Sequence, residues 1–448
     1  MIEVIFRFIR KVIPKPVFRF FQPIYHRFMA LGSALIYNYP SKNMVVIGIT
    51  GTSGKSTTVE LIDAILSQAG YRVGVASTIK FKVSNSKEKL NDKKMTMIGR
   101  FQLQKILKQM LKNKCEYAII ETTSEGIRQF RHLGIYYDIL VFTNLYPEHI
   151  DSHGSFENYK KAKLKLFKYL EKIPCKRLVA NGNRLMVKKT IIANTDDVHA
   201  KDFLNFKVDR KIGFGLYKQN LVESFFQASN TKVTDFGLEF DICDSRVKLG
   251  IFGEHNVYNA LAATAVGQVC GVKVDQSVVA LGGVLGVPGR QEFIDEGQNF
   301  KVIVDYAFEP RAMGKLYYTV KNINYHKIIH VLGATGGGRD ATHGVNLGKF
   351  IGERADIVIA TNEDPYDDDP ELIMNRVVTG ARKSGKKKDK NLFTVIDRKE
   401  AIYKALDLAQ QDDVVLITGK GSEQGMVIGG KVIPWDDRQV IRDYLGKK

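Results

Sequence analysis

The stretch that decides the fold is residues 45–60, which read V-V-I-G-I-T-G-T-S-G-K-S-T-T-V-E. Residues 45–49 form an apolar, β-branched run that predicts a buried strand. Glycines follow at Gly51 and Gly54, and the amphipathic segment after them predicts a helix. A strand, a glycine loop and a helix in this order are typical of a phosphate-binding loop, in which backbone N–H groups at a helix N-terminus face phosphate oxygens.

The residues of this loop have distinct expected roles. Lys55 is placed to reach the terminal phosphates of ATP, and the hydroxyl of Ser56 is placed to ligate Mg²⁺. The strict pattern has a glycine where this chain has Ile49, so the loop is a variant. A glycine turn that binds nothing is the alternative, but the strand, the Lys-Ser pair and the helix agree with one another. We therefore expect an ATP-binding loop made of Gly51, Thr52, Ser53, Gly54, Lys55, Ser56 and Thr57.

Length and composition are those of an ordinary globular protein with several domains. The chain has 448 residues, of which 44% are hydrophobic and 26% are charged. Its formal net charge of +19 favours anionic partners, but charge alone does not distinguish nucleotides, phosphorylated substrates, membrane surfaces and nucleic acid. The four cysteines form no C-x-x-C pair, so we expect reduced thiols in a cytosolic protein.

The first 40 residues are basic and aromatic. They carry six lysines and arginines against the single acid Glu3, interleaved with phenylalanine and tyrosine. No cleavable signal is recognisable, and the apolar run at 28–39 is too short to span a bilayer. Two interpretations remain: a helix lying on an anionic membrane face, or a pair of helices packed on the nucleotide domain. We expect a cytoplasmic protein, which on the first interpretation also contacts the inner face of the membrane.

Polar residues follow two later strands of the predicted sheet. Glu121 ends a predicted strand at 117–121, and His149 lies in the polar loop after a predicted strand at 139–143. Ligand groups collect at the carboxyl ends of parallel strands, so Glu121 is expected to hold the Mg²⁺ that is shared with ATP. For the loop that contains His149, a chemical role and a simple capping role remain equally open.

A series of short motifs follows from about residue 44 to the C-terminus. They are T-G-T-S-G-K-S-T at 50–57, E-T-T-S at 121–124, T-N-L-Y-P-E-H-I-D-S-H-G at 143–154, Y-K-K-A-K-L-K-L-F at 159–167, G-E-H-N-V-Y-N-A-L-A-A at 253–263, G-R-Q-E at 289–292, V-D-Y-A at 304–307, G-G-G-R-D at 336–340, E-D-P at 363–365, G-K-G-S-E at 419–423 and D-D-R at 436–438. In order and spacing they resemble the Mur ligase family, and most closely its tripeptide-synthetase type. So many motifs in one order make a chance match improbable.

The resemblance implies a fold and a reaction. The implied fold is α/β, with a short helical segment at 1–43, a central P-loop parallel-sheet domain at 44–288 and a Rossmann-like C-terminal domain at 289–448. Family members phosphorylate a carboxylate with ATP, and the amine of an amino acid then attacks the acyl phosphate. The resemblance therefore implies an ATP- and Mg²⁺-dependent ligase that joins an amino acid to a UDP-N-acetylmuramoyl-peptide-like acceptor in peptidoglycan precursor synthesis. We expect it to be a monomer.

The resemblance also implies roles for individual residues. Catalytic roles fall on Lys55, Glu121, His149 and Lys163, and metal ligation on Ser56, Glu121, His149 and Lys163. The family carbamylates the lysine at the position of Lys163, which from the sequence alone is a helix-surface lysine. Nucleotide contacts are implied for Asn256, Asn259, Arg290 and Asp305, with helix capping as the alternative for the asparagines. Contacts to the muramoyl peptide or the incoming amino acid are implied for Thr123, Ser124, Arg131, Arg339, Asp364 and Glu423.

Departures from the family pattern bear on the substrates. The region before residue 44 is far shorter than the family's usual amino-terminal domain, which grips the UDP sugar. Members that add diaminopimelate have D-N-P followed by an arginine that forks onto a carboxylate. Here Tyr366 takes the place of that arginine, which disfavours diaminopimelate and favours a lysine-like or other amine.

Two other functions were weighed against this ligase. Another Mur-fold amide ligase, of the polyglutamate-adding or pseudomurein type, fits the motifs of the last segment less well. A non-catalytic P-loop protein that binds nucleotide or nucleic acid would suit the net charge of +19. The presence of Lys55, Glu121, His149 and Lys163 argues against it, as does the lack of a basic and aromatic array beyond the first 40 residues. We therefore expect no specific nucleic-acid partner.

Overall fold

The computed structural model describes residues 15–148, 150–180, 183–234, 236–337 and 341–447. The chain forms two compact units. The first lies within Met1–Lys89, Met95–Gln227 and Leu261–Lys273, and the second within Leu90–Lys94, Ala228–Ala260 and Val274–Lys448.

Helices and strands alternate in the first part of the chain. The helices are α1 (Lys15–Ile36), α2 (Lys55–Gln68), α3 (Arg100–Lys112), α4 (Ser124–Arg128), α5 (Ile150–His153), α6 (Phe156–Lys172) and α7 (Ala200–Leu204), and a 3-10 helix covers Pro40–Asn43. The strands are β1 (Val45–Thr50), β2 (Val73–Ala76), β3 (Lys80–Ser84), β4 (Lys87–Leu90), β5 (Tyr117–Glu121), β6 (Ile139–Phe142), β7 (Arg177–Ala180), β8 (Asn183–Met186), β9 (Thr190–Asn194), β10 (Arg210–Gly215) and β11 (Ser224–Thr234).

The sheet of the first unit is built around β1. Its strands follow the order β10-β9-β6-β1-β5-β2-β3-β4, and the first residues of β11 pair with β10. The strands from β10 to β2 in this order pair in parallel, whereas β3 is antiparallel to β2. Because parallel strands end at the same edge, the segments that follow β1, β5 and β6 are brought together.

Apolar stripes on the helices cover this sheet. The stripe of α3 consists of Leu103, Leu107 and Met110, spaced by four and three residues, and all three are buried. They belong to one core with Ala118 of β5 and Leu140 of β6. The apolar faces of the helices and strands therefore pack together as the layers of a parallel-sheet domain.

Helix α1 has one buried face and one exposed face. Ala30, Ser33 and Ala34 are buried, and a Cβ on Gly134 would lie 2.5 Å from Cβ of Ala34, so this face packs closely on the first unit. Large apolar side chains on the other face remain exposed. Among the described residues, no helix is both long enough and apolar enough to cross a membrane.

The second part of the chain again alternates between helices and strands. The helices are α8 (His255–Val269), α9 (Val274–Gly282), α10 (Pro310–Lys321), α11 (Ala341–Gly352), α12 (Pro370–Lys383), α13 (Arg398–Leu408) and α14 (Asp437–Leu445). The strands are β12 (Gly237–Ile242), β13 (Ser245–Leu249), β14 (Glu292–Ile294), β15 (Lys301–Asp305), β16 (Ile328–Thr335), β17 (Ile357–Asp364), β18 (Leu392–Thr394), β19 (Val414–Thr418), β20 (Gly425–Ile428) and β21 (Lys431–Pro434).

A six-stranded sheet organises the second unit. Its order is β14-β15-β19-β16-β17-β18, and all neighbours pair in parallel except β14, which is antiparallel to β15. In β16, Ile328 and Leu332 face one apolar core while Ile329 and Val331 face another. A parallel sheet with apolar residues on both faces needs helices on both faces. The predicted α/β class with parallel sheets is therefore confirmed.

Candidate functional site

The loop after β1 has a geometry that requires its glycines. A Cβ on Gly51 would lie 1.9 Å from Oγ1 of Thr143, the residue that follows β6. Gly54 has φ 81°, in the left-handed region, and α2 begins immediately after it with Lys55. The loop therefore turns tightly from the strand into a helix N-terminus.

The segment after β6 fixes the shape of this loop. Asn144 accepts a bond from the Thr52 N–H on its backbone oxygen and one from the Ser53 N–H on its side-chain oxygen, both at 2.9 Å. Thr57 is buried in the first turn of α2. All seven residues expected in the phosphate loop thus lie in one continuous strand, turn and helix.

Two lysines approach the same carbonyl oxygen of this loop. Nζ of Lys55 donates to the backbone oxygens of Gly51 at 3.2 Å and Thr52 at 2.8 Å. Nζ of Lys163, on α6, donates to the Gly51 oxygen at 2.7 Å. The loop and α6 therefore bring the two lysine side chains together at the end of β1.

Lys163 is buried, with 1% of its surface exposed. Burial lowers the pKa of Lys163 well below the usual lysine value, and the charge of Lys55 lowers it further, against an opposing effect of Glu148. The Nζ atom also lies 4.6 Å from the ring centre of Tyr159, one helical turn earlier. Burial therefore favours the uncharged form of this amine, and an uncharged amine is a nucleophile.

Glu121 accepts hydrogen bonds from two sides. Oγ of Ser56 donates to its carboxylate at 3.0 and 3.1 Å, and the Thr78 N–H donates at 2.8 Å. Oγ1 of Thr78 lies 2.9 Å from the same carboxylate and 2.8 Å from Oγ1 of Thr96. A carboxylate and a hydroxyl beside a phosphate loop are the oxygen ligands that Mg²⁺ prefers, so Ser56 and Glu121 fit the expected metal. His149 lies outside the described residues.

The expected acceptor residues lie on and after α4. Thr123 caps α4, because its Oγ1 accepts a bond from the Gly126 N–H at 3.1 Å. Oγ of Ser124 lies 3.1 Å from Nε2 of His153. Nη2 of Arg131 donates to the side-chain oxygen of Gln129 at 2.7 Å, and its Nη1 donates to a backbone oxygen. Thr123 and Ser124 follow Glu121 within three residues, and Arg131 lies ten residues after it.

In the second unit, the two expected adenine contacts hydrogen-bond to each other. Nδ2 of Asn259 donates to Oδ1 of Asn256 at 2.7 Å, and Nδ2 of Asn256 donates to the backbone oxygen of Phe252 at 2.6 Å. Both asparagines are buried on the first turns of α8. The pair is thus held in a fixed orientation.

Asp305 and Arg290 are held beside the ends of β15 and β14. Asp305 accepts backbone bonds from Gln291 and Ala307, both at 2.7 Å. Burial raises the pKa of Asp305, and the nearby Arg290 opposes that rise. The guanidinium of Arg290 lies 4.3 Å from the ring centre of Tyr306. The carboxylate is thus oriented by the backbone and the guanidinium by an aromatic face.

Asp364 and Glu423 share two lysine partners in the second unit. Nζ of Lys420 lies 2.9 Å from Asp364 and 2.6 Å from Glu423. Nζ of Lys94 lies 2.6 Å from Asp364 and 3.6 Å from Glu423. Burial acts to raise the pKa of Asp364, but Lys420 and Lys94 outweigh it and hold that pKa below the usual range. Arg339 lies outside the described residues.

The sequence reasoning missed several of these partners. Thr78 and Thr96 carry no motif, and Lys94 lies in a polar run with nothing to mark it. Lys420 belongs to the quoted G-K-G-S-E motif, but its pairing with Asp364 depends on the fold. A signal for Lys163 did exist, because it shares a helical stripe with the buried Tyr159.

Comparison with protein families gives a consistent result for both units. Residues 49–267 match the Mur ligase middle domain, and residues 289–421 match the Mur ligase glutamate ligase domain. A UDP-N-acetylmuramoyl-L-alanyl-D-glutamate–2,6-diaminopimelate ligase of Clostridium acetobutylicum is 32% identical over 423 residues, which are 93% of this chain and 81% of the relative.

Solved structures share the architecture. A structure of a UDP-N-acetylmuramoyl-L-alanyl-D-glutamate–2,6-diaminopimelate ligase superimposes with a TM-score of 0.57 at 27% identity, covering 90% of this chain and 79% of that one. Folylpolyglutamate synthase of Mycobacterium tuberculosis, complexed with ADP and AMPPCP, gives a TM-score of 0.65 at 14% identity, covering 94% and 95% of the two chains. At 14% identity, the comparison with folylpolyglutamate synthase shows a shared fold and no more.

Proposed function

The chain belongs to the Mur ligase family, and on this premise we propose that it uses ATP to join an amino acid to a UDP-N-acetylmuramoyl-peptide-like carboxylate. A carboxylate is a poor electrophile, and phosphorylation by ATP gives it a leaving group. Peptide-bond formation then needs an amine held next to the acyl phosphate. We keep the division into 1–43, 44–288 and 289–448 as part of this proposal.

The observation that carries the proposal is the pair of lysines at the Gly51 oxygen. Lys55 is suited to contact the terminal phosphates of ATP. In its uncharged form, which burial favours, the amine of Lys163 is suited to attack carbon dioxide, forming an N–C bond and losing a proton. The resulting carbamate is anionic, which would turn a buried amine into an oxygen ligand beside the phosphate loop.

Mg²⁺ fits the donor set of the first unit. Ser56, Glu121 and a carbamate on Lys163 would hold it, with His149 as the further ligand that the family pattern implies. A bound Mg²⁺ would neutralise charge that develops on the transferred phosphoryl group. The residues of this chain orient the loop, hold the carboxylate of Glu121 with Ser56 and Thr78, and place Lys55.

We propose nucleotide contacts by Asn256, Asn259, Arg290 and Asp305, and acceptor contacts by Thr123, Ser124 and Arg131. A pair of buried amides can match the donor and acceptor edge of adenine. A carboxylate that is oriented by two backbone N–H groups suits a ribose hydroxyl. Arg339 is proposed as a contact to the incoming amino acid from the family pattern alone.

We propose an incoming amino acid with a second, cationic amine. Asp364 and Glu423 hold two ammonium groups of the protein, those of Lys420 and Lys94. The side-chain amine of a lysine-like substrate would take the place of Lys94 at these carboxylates. Tyr366, which is 39% exposed and lies two residues after Asp364, offers no fork for a second carboxylate. Diaminopimelate is therefore disfavoured.

The test is a panel of amino acids supplied with ATP, Mg²⁺ and UDP-N-acetylmuramoyl-dipeptide, with ADP release as the readout. We expect ADP only when both the acceptor and an amine are present, with lysine or ornithine above diaminopimelate. Release of ADP without the acceptor and the amino acid would contradict the ligase reaction. A clear preference for diaminopimelate would contradict the proposed lysine-like substrate.

The membrane is the second partner that we propose, through the exposed face of α1. Phe21, Ile24, Phe28, Leu31 and Leu35 recur at alternating intervals of three and four residues, and each is at least 48% exposed. Such a stripe runs along one side of a helix. The surrounding sequence is basic, with six cationic residues and one acid before residue 41. An apolar stripe with basic flanks suits the surface of an anionic bilayer.

Sedimentation with lipid vesicles tests the membrane contact. We expect the full-length protein to sediment with vesicles that contain anionic phosphatidylglycerol and to remain in solution with purely zwitterionic vesicles. Phe28→Asp should abolish sedimentation, whereas Val279→Asp, a change at an exposed apolar residue of the second unit, should not. Equal behaviour of the two variants, or dimerisation through α1, would overturn this contact.

A further inference from the structure

Two arginines from different elements are held side by side in the first unit. Arg100 is the first residue of α3, and Arg131 follows α4. Nη2 of Arg100 donates to the backbone oxygen of Gln129, and Nη2 of Arg131 donates to the side-chain oxygen of the same residue at 2.7 Å. Gln129 therefore fixes both guanidinium groups at one place.

His26 of α1 is near enough to the same pair for both arginine charges to act on it. Burial lowers the pKa of His26 to about 4, and the charges of Arg100 and Arg131 contribute to the lowering. At neutral pH the imidazole is thus uncharged and offers one N–H donor. The pKa of Arg100 is also lowered, to about 10, first by burial and then by Arg131. Three side chains from three elements thus form one cationic cluster.

The cluster has donors without acceptors. Within the part of the chain that the structure describes, Nε of Arg100, Nε of Arg131 and both ring nitrogens of His26 are buried and have no hydrogen-bond partner. Buried polar groups in folded proteins nearly always have a partner, since leaving them unpaired is costly. Several unpaired donors at one place indicate a ligand that supplies acceptor oxygens.

The neighbouring acid does not fill this role. Glu125 acts on His26 through its charge, and its Oε1 accepts bonds from Arg128 at 3.0 Å and from Gln129 at 2.6 Å. Its Oε2 lies 2.9 Å from Nη2 of Arg128 and, among the described residues, forms no hydrogen bond, so this one oxygen cannot pair with all of the donors. The charge of Glu125 is therefore balanced by Arg128. Two guanidinium charges remain for a ligand.

The cluster also lies close in the chain to the candidate catalytic residues. Thr96, four residues before Arg100, lies 2.8 Å from Thr78, which donates to Glu121. Arg131 lies ten residues after Glu121. The segments that carry Thr96 and Glu121 therefore also carry Arg100 and Arg131.

We propose that His26, Arg100 and Arg131 form a subsite for a phosphoryl group of the acceptor, a role that rests on the proposed ligase function. A planar carboxylate offers two oxygens and one charge. A phosphoryl group offers more oxygens in a tetrahedral arrangement, and a diphosphate carries the charge that two guanidinium groups require. Helix α1 thereby becomes part of the acceptor site, because it supplies His26.

Such a phosphoryl group can belong to a soluble nucleotide-linked acceptor or to a lipid-linked one. Calorimetric titration without ATP distinguishes them, using three probes that share the muramoyl dipeptide. The first carries UDP, the second carries a prenyl diphosphate in a vesicle, and the third carries no phosphate. We expect the wild-type protein to bind at least one diphosphate probe about tenfold more tightly than the third. The diphosphate probe that binds more tightly identifies whether the phosphoryl group belongs to a nucleotide-linked or a lipid-linked acceptor.

The variants Arg100→Gln and His26→Gln test the residues. Each variant should lose most of the difference in affinity between the diphosphate probes and the phosphate-free probe. Its affinity for the phosphate-free probe should be unchanged. Lys105→Gln removes an exposed charge from the same helix α3 and should leave all three affinities unchanged. Thermal melting identifies any variant that fails to fold, and the other variant then decides the question.

Equal binding of the three probes, or equal losses for all of them in both variants, would overturn the subsite. Binding is measured without turnover, so these outcomes are independent of whether ADP is ever released. If the protein binds the diphosphate probes through Arg100 but never hydrolyses ATP, the proposed subsite stands and the proposed ligase function is contradicted.

Discussion

Nζ of Lys163 lies 2.7 Å from the backbone oxygen of Gly51, although the two residues are 112 positions apart in the chain. Helix α6 thus brings a buried amine to the phosphate loop between β1 and α2. Burial alone would favour an apolar residue at this position. An amine held there, next to Lys55, is best explained by a role of Lys163 in the reaction.

Lys163→Ala should reduce ADP formation about 100-fold, because removal of an anionic metal-side ligand weakens binding of the ion. Short-chain carboxylates such as acetate should restore part of the activity, since they can occupy the space of the carbamate. The control is Lys161→Ala, which changes an exposed lysine two residues earlier on α6. Full activity of Lys163→Ala would remove the carbamate from the account.

The depressed pKa of Lys163 has a consequence for stability. Between the folded and unfolded pKa values the unfolded chain binds one more proton at this residue, so stability rises with pH. In carbon-dioxide-free buffer without nucleotide, Lys163→Met should therefore raise the melting temperature at pH 7, and the gain should shrink towards pH 10. A gain that is independent of pH would mean that Lys163 is charged in the folded protein.

Gly51→Ala should abolish ATP binding. The added Cβ would lie 1.9 Å from Oγ1 of Thr143 and 3.1 Å from the backbone of Asn144, so the loop must move. Gly70→Ala is a control for the loss of a glycine, because a Cβ there meets nothing within 4 Å, and its φ of 88° adds a backbone strain of its own. Fluorescent-nucleotide binding measures the difference, and unchanged affinity in Gly51→Ala would place ATP elsewhere.

Tyr366→Arg should shift the amino-acid preference towards diaminopimelate. A guanidinium at this position can form two parallel hydrogen bonds to the second carboxylate of that substrate, which a phenol cannot. We expect the ratio of kcat/KM for diaminopimelate over lysine to rise about tenfold. The matched control is Tyr318→Arg at another exposed tyrosine, and an unchanged ratio in both variants would show that residue 366 does not select the amine.

Arg398 and Asp437 form a fully buried pair whose loss should destabilise the second unit. Two nitrogens of Arg398 contact Asp437 at 2.7 and 2.8 Å, and neither side chain is exposed. Asp437→Asn should cost about 3–5 kcal/mol, because it leaves a buried guanidinium charge unpaired. Urea unfolding measures the change in the free energy of unfolding, and Glu400→Gln at an exposed residue is the control. A loss below about 1 kcal/mol, which is typical of an exposed ion pair, would contradict this prediction.

The fold could largely be predicted from local pattern. The β-branched run, the glycines and the amphipathic segment of residues 45–60 act over short distances, and they specify a strand, a turn and a helix. The position of Glu121 was predictable because the carboxyl ends of parallel strands lie at one edge of the sheet, where ligand-binding groups collect.

The partners of the site residues could not be predicted in this way. Lys94 and Asp364 are 270 residues apart, and their contact depends on how distant segments fold together. The burial of Lys163 was missed because a lysine on a helix is normally solvated, although its spacing from Tyr159 placed it on the buried stripe. Thr78 orients Glu121 from a turn that no motif marks.

The central claim is that ATP activates the acceptor as an acyl phosphate. Its most direct test uses an acceptor whose reacting carboxylate is labelled with oxygen-18, together with ATP, Mg²⁺ and lysine. Phosphate released during amide formation should carry one labelled oxygen per new bond, because the carboxylate oxygen leaves with the phosphoryl group. Unlabelled phosphate released alongside the amide, or no amide with any amine, would contradict the account.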